Sequence, residues 1–352
     1  MLAAIKLYFQ SEHQVILPDD AITLVPLEGE GKVEDRVNHL YSQLLDNSEW
    51  LEAVSSADVI MWATHSQGTP VSLMLLHRLL ERGHVHLIRQ SITVLAMAGI
   101  SQGPFPALKG NLYFEADAAR ELFEFMDSES PISIKYRQSV DYVLKNGVKV
   151  VLTGSMQDQV VPLHSALMSS VQHPSLLRTL YIDHHLYSTS DNEFLIRLIV
   201  FALRLRNMDL SDHDLLVYLS DILAGSLYVL EGGHSTIYEE IGVYLTAVQY
   251  TFGTAPFGNR IRSVHSSPRT TGPESSILLE PTLIPFTAKQ QLNPFYLPWA
   301  LHAICHDSNI LENTSLKEDL STMLTLFKKW EPTSTRLKEL KFRLDPFRTF
   351  KL

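Results

Sequence analysis

Residues 64–68 read Thr-His-Ser-Gln-Gly, between an apolar run, ADVIMWA, and a second apolar pattern, TPVSLMLL. A serine set in a sharp turn between a strand and a helix has the layout of a nucleophile elbow. There the hydroxyl stands at the carboxyl edge of a sheet, over a helix N-terminus. Such turns favour small residues two before and two after the serine, because strand and helix approach closely. Gly68 fills the second position; Thr64, bulkier than glycine, fills the first. The backbone N–H of Gln67, at the helix start, is one candidate donor for an oxyanion hole.

A serine hydroxyl needs a base within hydrogen-bond reach and a carboxylate that orients the base. The order serine, acid, histidine places the acid after a later strand. VVLTGSMQDQVVP supplies Asp158 just beyond such a run. A plain turn aspartate is the competing reading. Several histidines compete for the base. His65, next to Ser66, reads as a structural neighbour. His164 reads as a surface residue or a support behind the site. His184 and His185 directly follow the strand LLRTLYID. His234 lies in EGGHSTIYEE, where two glycines precede it and a helix follows, a loop that suits swinging an imidazole over a sheet edge. His234 is the favoured base, and His185 stays open as its rival. With His234 as base, residues 186–230 become a helical insertion able to roof the serine.

The positioning elements are legible as periodicities. ITLVPL (22–27) predicts a strand. KVEDRVNHLYSQLLD has Val33, Val37, Leu40, Leu44 and Leu45 at helical spacing. Residues 58–64 predict a strand covered on both faces, 69–82 a helix, 91–99 a strand and 148–155 a strand following a helix stopped at Gly147. A short helix, SALMSSVQ, and the strand 176–183 come next. Alternating strands and helices mean a parallel sheet with helices on both faces. Helices follow at 193–207, 213–224 and 237–252. The expected organisation is a domain over 1–252, a Gly/Ser/Thr/Pro-rich linker or long loop over 253–290, and a helical extension over 291–352 with a locally basic tail.

The stretches LEGEGKVEDRV, WATHSQGTPVSLMLL, LAMAGISQGPFP, LTGSMQDQVVP, EGGHSTIYEEIGVY and NPFYLPWALH spread over most of the chain. Through them the sequence resembles the α/β-hydrolase superfamily of the serine lipase/esterase type, and more narrowly an uncharacterised fungal α/β-hydrolase family. The resemblance implies an α/β fold and a hydrolase-like triad. It also implies a strand ending in a His-Gly-Phe-Phe-Pro-like loop that carries one oxyanion donor. This sequence opens instead in what resembles the following helix, so that strand is expected to be missing and the second donor is unassigned.

Composition narrows the alternatives. The 352 residues are 45% hydrophobic, ample for a sizeable core. A formal net charge of −10, with no basic block in the first 250 residues, argues against nucleic acid as a partner. The single cysteine, Cys305, excludes an internal disulfide framework and a multi-cysteine metal site, and fits a reducing, cytoplasmic setting. The opening MLAAIKLYFQSEHQ, interrupted by Lys6 and Glu12, has an apolar run too short for a signal sequence or a spanning helix, and FLIRLIVFALRL (194–205), interrupted by Arg197 and Arg204, is too short to span a membrane. Expected, then, is a cofactor-independent serine hydrolase acting on a small-molecule ester, lipid esters included. An acyltransferase using the same residues and a weakly active or inactive interaction protein on the same scaffold are the alternatives. A metal hydrolase built on Asp183, His184 and His185 carries little weight, because adjacent histidines do not readily face one site. Trp62 reads as core, and the loop 99–106 as either a pocket wall or a plain turn.

Overall fold

A computed structural model describes residues 1–111, 116–182, 190–220, 222–223, 233–254 and 280–350. Strands β1 (Val59–His65), β2 (Ser91–Met97), β3 (Lys149–Ser155) and β5 (Leu176–Tyr181) form a parallel sheet in the order β1-β2-β3-β5. The short strand β4 (Val171–Gln172) lies between β3 and β5 in sequence and pairs antiparallel with β6 (Thr282–Leu283). Register aligns His65 with Met97 and Met97 with Thr153, so the carboxyl ends of β1, β2 and β3 share one rim.

Both faces of the sheet are covered, which explains why its strands are apolar without alternation. Val94, Ala96, Val150 and Leu152 face one packed cluster. Leu95, Met97 and Val151 face the other. Helices α1 (Leu2–His13), α2 (Val33–Asp46), α3 (Ser48–Ser56), α4 (Gly68–Glu81), α5 (Pro131–Lys145), α6 (Ser190–Asn207) and α7 (Ile241–Gly253) surround the sheet. α2 and α5 pack on α4, while α7 lies across β2 and β3 on the other face with α1 against it. The α/β architecture with helices on both faces is therefore that expected. α5 ends where the sequence stops it, with Gly147 in the left-handed region at φ 86°.

Residues 22–27, expected as a strand, belong to no ladder. A β-branched run becomes a strand only when a neighbour completes its hydrogen bonds, and Pro26 lacks a donor altogether. The run instead helps to line a cavity of about 870 Å³ beside β1, together with α1, α2 and residues of β1 itself. β1 is thus an edge strand among the described residues, and it is more exposed than the wholly buried β3. Trp62 is half-buried at this cavity and donates its indole N–H to Ser72 Oγ at 3.1 Å.

The C-terminal helices α8 (Leu297–His306), α9 (Thr314–Lys329) and α10 (Thr335–Arg343) join the main core instead of forming one of their own. Phe194 of α6 meets Trp330 at a ring separation of 4.9 Å and Phe327 at 5.3 Å. The described helices of the 186–230 span, α6 and the short Leu215–Ser220 turn, pack on β5, the 163–166 turn, α8 and α9. The remainder of that span next to His234 (residues 224–232), His184, His185 and residues 255–279 lie outside the described residues. No described helix is long and apolar enough to cross a membrane.

Two buried ionisable groups support this frame. Lys149 opens β3, yet it is 1% exposed. Its ammonium donates to the carbonyls of Thr251 at 3.0 Å and Thr254 at 2.5 Å, satisfying orphan acceptors at the end of α7. Lys149→Met removes that cap and should cost about 1–3 kcal/mol, read as a lower denaturant midpoint at unchanged m-value. His164, taken from sequence as a surface or supporting residue, is 2% exposed beside Phe286. Burial depresses its pKa to about 3. The unfolded chain therefore binds a proton below about pH 6.5 that the folded chain refuses, so stability falls as pH drops towards 3. His164→Leu should flatten this acid limb, by up to about 1.4 kcal/mol per pH unit, in urea titrations run between pH 7 and 4.

Candidate active site

Ser66 follows β1 with φ 53°, a left-handed conformation unusual for a residue with a side chain. Backbone bonds hold it there. Its N–H donates to Met97 O at 2.9 Å, extending the β1–β2 ladder by one residue. Its carbonyl accepts from Thr69 N at 3.1 Å and Ile100 N at 3.1 Å. The chain then enters α4 at once, so strand and helix nearly touch. A Cβ built on Gly68 would lie 2.7 Å from Thr64 Oγ1. The larger residue at the first elbow position is accommodated because the second has no side chain.

Asp158 lies just beyond β3 and is 1% exposed. Its Oδ1 accepts from Val160 N and Val161 N, both at 2.8 Å, which fixes the carboxylate plane. Oδ2 accepts from His234 Nδ1–H at 2.9 Å. With the proton on Nδ1, His234 Nε2 presents a lone pair, and it stands 3.1 Å from Ser66 Oγ. The structure thus brings Ser66, His234 and Asp158 into one hydrogen-bonded chain, although 168 and 76 residues separate the bonded pairs.

His234 belongs to the single helical turn Gly233–Thr236 that precedes α7. Gly233 is seated on the end of β3: a Cβ there would fall 2.4 Å from Ser155 Oγ and 3.1 Å from Gln157 Cβ. From sequence this glycine promises backbone freedom, but here its role is close approach. The loop after β2 is buried and joined to its surroundings. Ser101 N and Gln102 N both donate to Ser165 Oγ, and Phe105 N donates to Val160 O. It therefore braces the Asp158 turn. The main-chain N–H groups of Gln67 and Gly68 have no acceptor among the described residues.

One contact was not legible from the residue types. His65 Nε2 lies 2.7 Å from the main-chain carbonyl of His234, and the two imidazole centroids are 4.7 Å apart. Strand parity was the available signal: His65 shares the β1 face of Met61, which packs with Ile237 and Val243 of the chain after His234.

The profile of the YMC0/YMC35 alpha/beta hydrolase domain matches residues 2–308, a span that contains Ser66, Asp158 and His234. The chain belongs to this family. Its α/β-hydrolase membership supports a hydrolase-type function. No curated protein and no solved structure matches the chain.

The Thr64–Gly68 contact supplies a test of the elbow. Gly68→Ala should destabilise the fold by about 1–3 kcal/mol through overpacking. Thr64→Ala combined with Gly68→Ala should recover most of it, giving a coupling energy in a double-mutant cycle of thermal or urea unfolding.

Proposed function

We propose that the protein is a serine hydrolase that cleaves an ester, with Ser66 as nucleophile, His234 as general base and Asp158 as the group that orients and stabilises the imidazole. The observation that carries this reading is the Asp158–His234–Ser66 hydrogen-bond chain, at 2.9 and 3.1 Å. In the first half-reaction Ser66 Oγ attacks the carbonyl carbon as His234 Nε2 takes its proton. The tetrahedral oxyanion forms beside the Gln67 N–H. The imidazolium, stabilised by Asp158, then gives the proton to the departing alcohol and leaves an acyl-Ser66. Water, activated by the same imidazole, releases the acid and restores Ser66. The side chains of the triad need no metal or organic cofactor for these steps. The cavity along the edge of β1, lined by apolar residues and by Arg36 and Asp58, reaches Thr64, His65 and Gly68 beside the elbow, which supports an apolar chain on the ester. An alcohol acceptor in place of water makes the same sequence an acyl transfer.

A second reading, a hydrolase scaffold of low turnover, draws on the amides around the elbow. Ser66, Ile100, Ser101 and Gln102 donate their N–H groups within the protein; of the free elbow amides, Gln67 and Gly68, Gln67 is assigned to the oxyanion, and no second donor from another loop is assigned. A missing second donor costs about 100- to 1,000-fold in rate.

A fluorophosphonate probe separates these readings. The wild-type protein should label stoichiometrically, and Ser66→Ala should abolish labelling. Asp158→Asn should slow it by about ten-thousand-fold, because an amide no longer holds the Nδ1–H tautomer. Labelling that persists in Ser66→Ala defeats the assignment. Prompt labelling with barely measurable turnover of p-nitrophenyl esters selects the low-turnover reading.

A further inference from the structure

We infer that His65 is a positioning residue for His234: its ring N–H pins the main chain of the base to the end of β1. The inference rests on the triad reading above, and adds a side chain that touches neither Ser66 Oγ nor the Asp158 carboxylate in the hydrogen-bond network.

The geometry is specific about direction. A carbonyl oxygen only accepts, so at 2.7 Å the proton of that bond resides on His65 Nε2. His65 is the last residue of β1 and immediately precedes the serine. One end of the bond is therefore anchored in the same strand that sets the nucleophile, and the other in the residue that carries the base. Asp158 and Ser66 hold the His234 ring through Nδ1 and Nε2, but bonds to the ring alone leave the main chain that carries it free to shift. The His65 bond fixes that main chain at its carbonyl, and the close seat of Gly233 against Ser155 fixes it one residue earlier. These contacts come from β1 and the elbow after it, the end of β3 and the turn after β3, so the base is triangulated across the sheet rim.

The surroundings hold His65 in the required form. Its ring meets Tyr238 edge-on at 5.0 Å and His234 at 4.7 Å, a tilted packing that leaves little rotational freedom. Desolvation by burial, and then the neighbouring His234, push its pKa below the ordinary imidazole value. A neutral His65 matters for the chemistry. During catalysis His234 becomes an imidazolium, and a second positive charge one ring away would oppose that step. Neutral His65 donates its hydrogen bond and adds no such charge. A serine or alanine at this position leaves the His234 carbonyl without its donor, and an arginine or lysine supplies a donor with a permanent charge.

The experiment compares His65→Phe, which keeps the aromatic packing and removes the donor, with His65→Gln, whose amide N–H reaches a similar position. Both are checked for wild-type melting temperature. Rates are measured with a fluorophosphonate and with p-nitrophenyl butyrate. His65→Phe should lower labelling and kcat by about tenfold to a hundredfold with KM little changed, since a displaced base acts on the transition state and not on binding. His65→Gln should return to within about threefold of wild type. Histidine-selective 15N NMR reads the geometry without catalysis. The slowly exchanging Nδ1–H of His234 should be present in wild type and His65→Gln and lost or broadened in His65→Phe. Unchanged rates and an unchanged Nδ1–H signal in His65→Phe overturn the inference, as does a His65→Gln variant as impaired as His65→Phe. If wild type itself fails to label, the triad reading falls, and the Nδ1–H comparison alone decides whether His65 holds His234.

Discussion

The left-handed backbone at Ser66 is the constraint on which the rest depends. A residue with a side chain resists that conformation by about 1–3 kcal/mol, and holds it only where its neighbours leave no alternative. Here the alternatives are removed by ladder bonds to Met97 and Ile100, by the immediate start of α4, and by the contact of Thr64 with Gly68. The parallel register then does the remaining work. Because β1, β2 and β3 end together, the turn after β3 delivers Asp158 to the rim where Ser66 stands. α7, crossing β2 and β3 on the opposite face from α4, brings the His234 turn to the same rim.

How much of this was legible depended on whether a signal was local. Strands β1, β2, β3 and β5, and helices α2, α4 and α5, were readable because each carries its own periodicity and its own stop signals, Gly147 among them. Ser66, Asp158 and His234 were readable as candidates because each sits at a strand end or a glycine-rich turn. What sequence left open was which partners meet across the rim. Lys149 shows why: a lysine in an otherwise apolar run promises a partner, but the carbonyls it caps are about a hundred residues away. His65 is the same case, a polar group whose partner is a main-chain atom with no signature in the sequence. Residues 22–27 erred in the other direction. Their composition suits a strand, but pairing is a property of two segments, and the neighbouring edge of β1 faces a cavity.

The C-terminal helices also illustrate non-local determination. The sequence reads residues 291–352 as a helical extension; Phe194, Phe327, Trp330 and Phe347 form one aromatic cluster that links those helices to α6. Burial of this kind fixes α6 against β5 without drawing on Ser66, Asp158 or His234. The stability of that region and the alignment of the site are accordingly carried by different contacts.

The outer edge of β1 bears on how the protein behaves in a test tube. Main-chain groups on a strand edge attract other chains whatever their side chains, and natural proteins counter this with charge, cover or distortion. β1 carries a neutral sequence from Val59 to Trp62; among the described residues, α1, α2 and residues 22–27 wall the cavity beside it, and long-range repulsion between whole molecules adds to that cover. The net charge of −10 supplies that repulsion at pH 7, and the sequence pI of about 5.8 marks where it vanishes. Buffer pH and ionic strength therefore act on the colloidal behaviour of the protein through its net charge, separately from their effect on the fold.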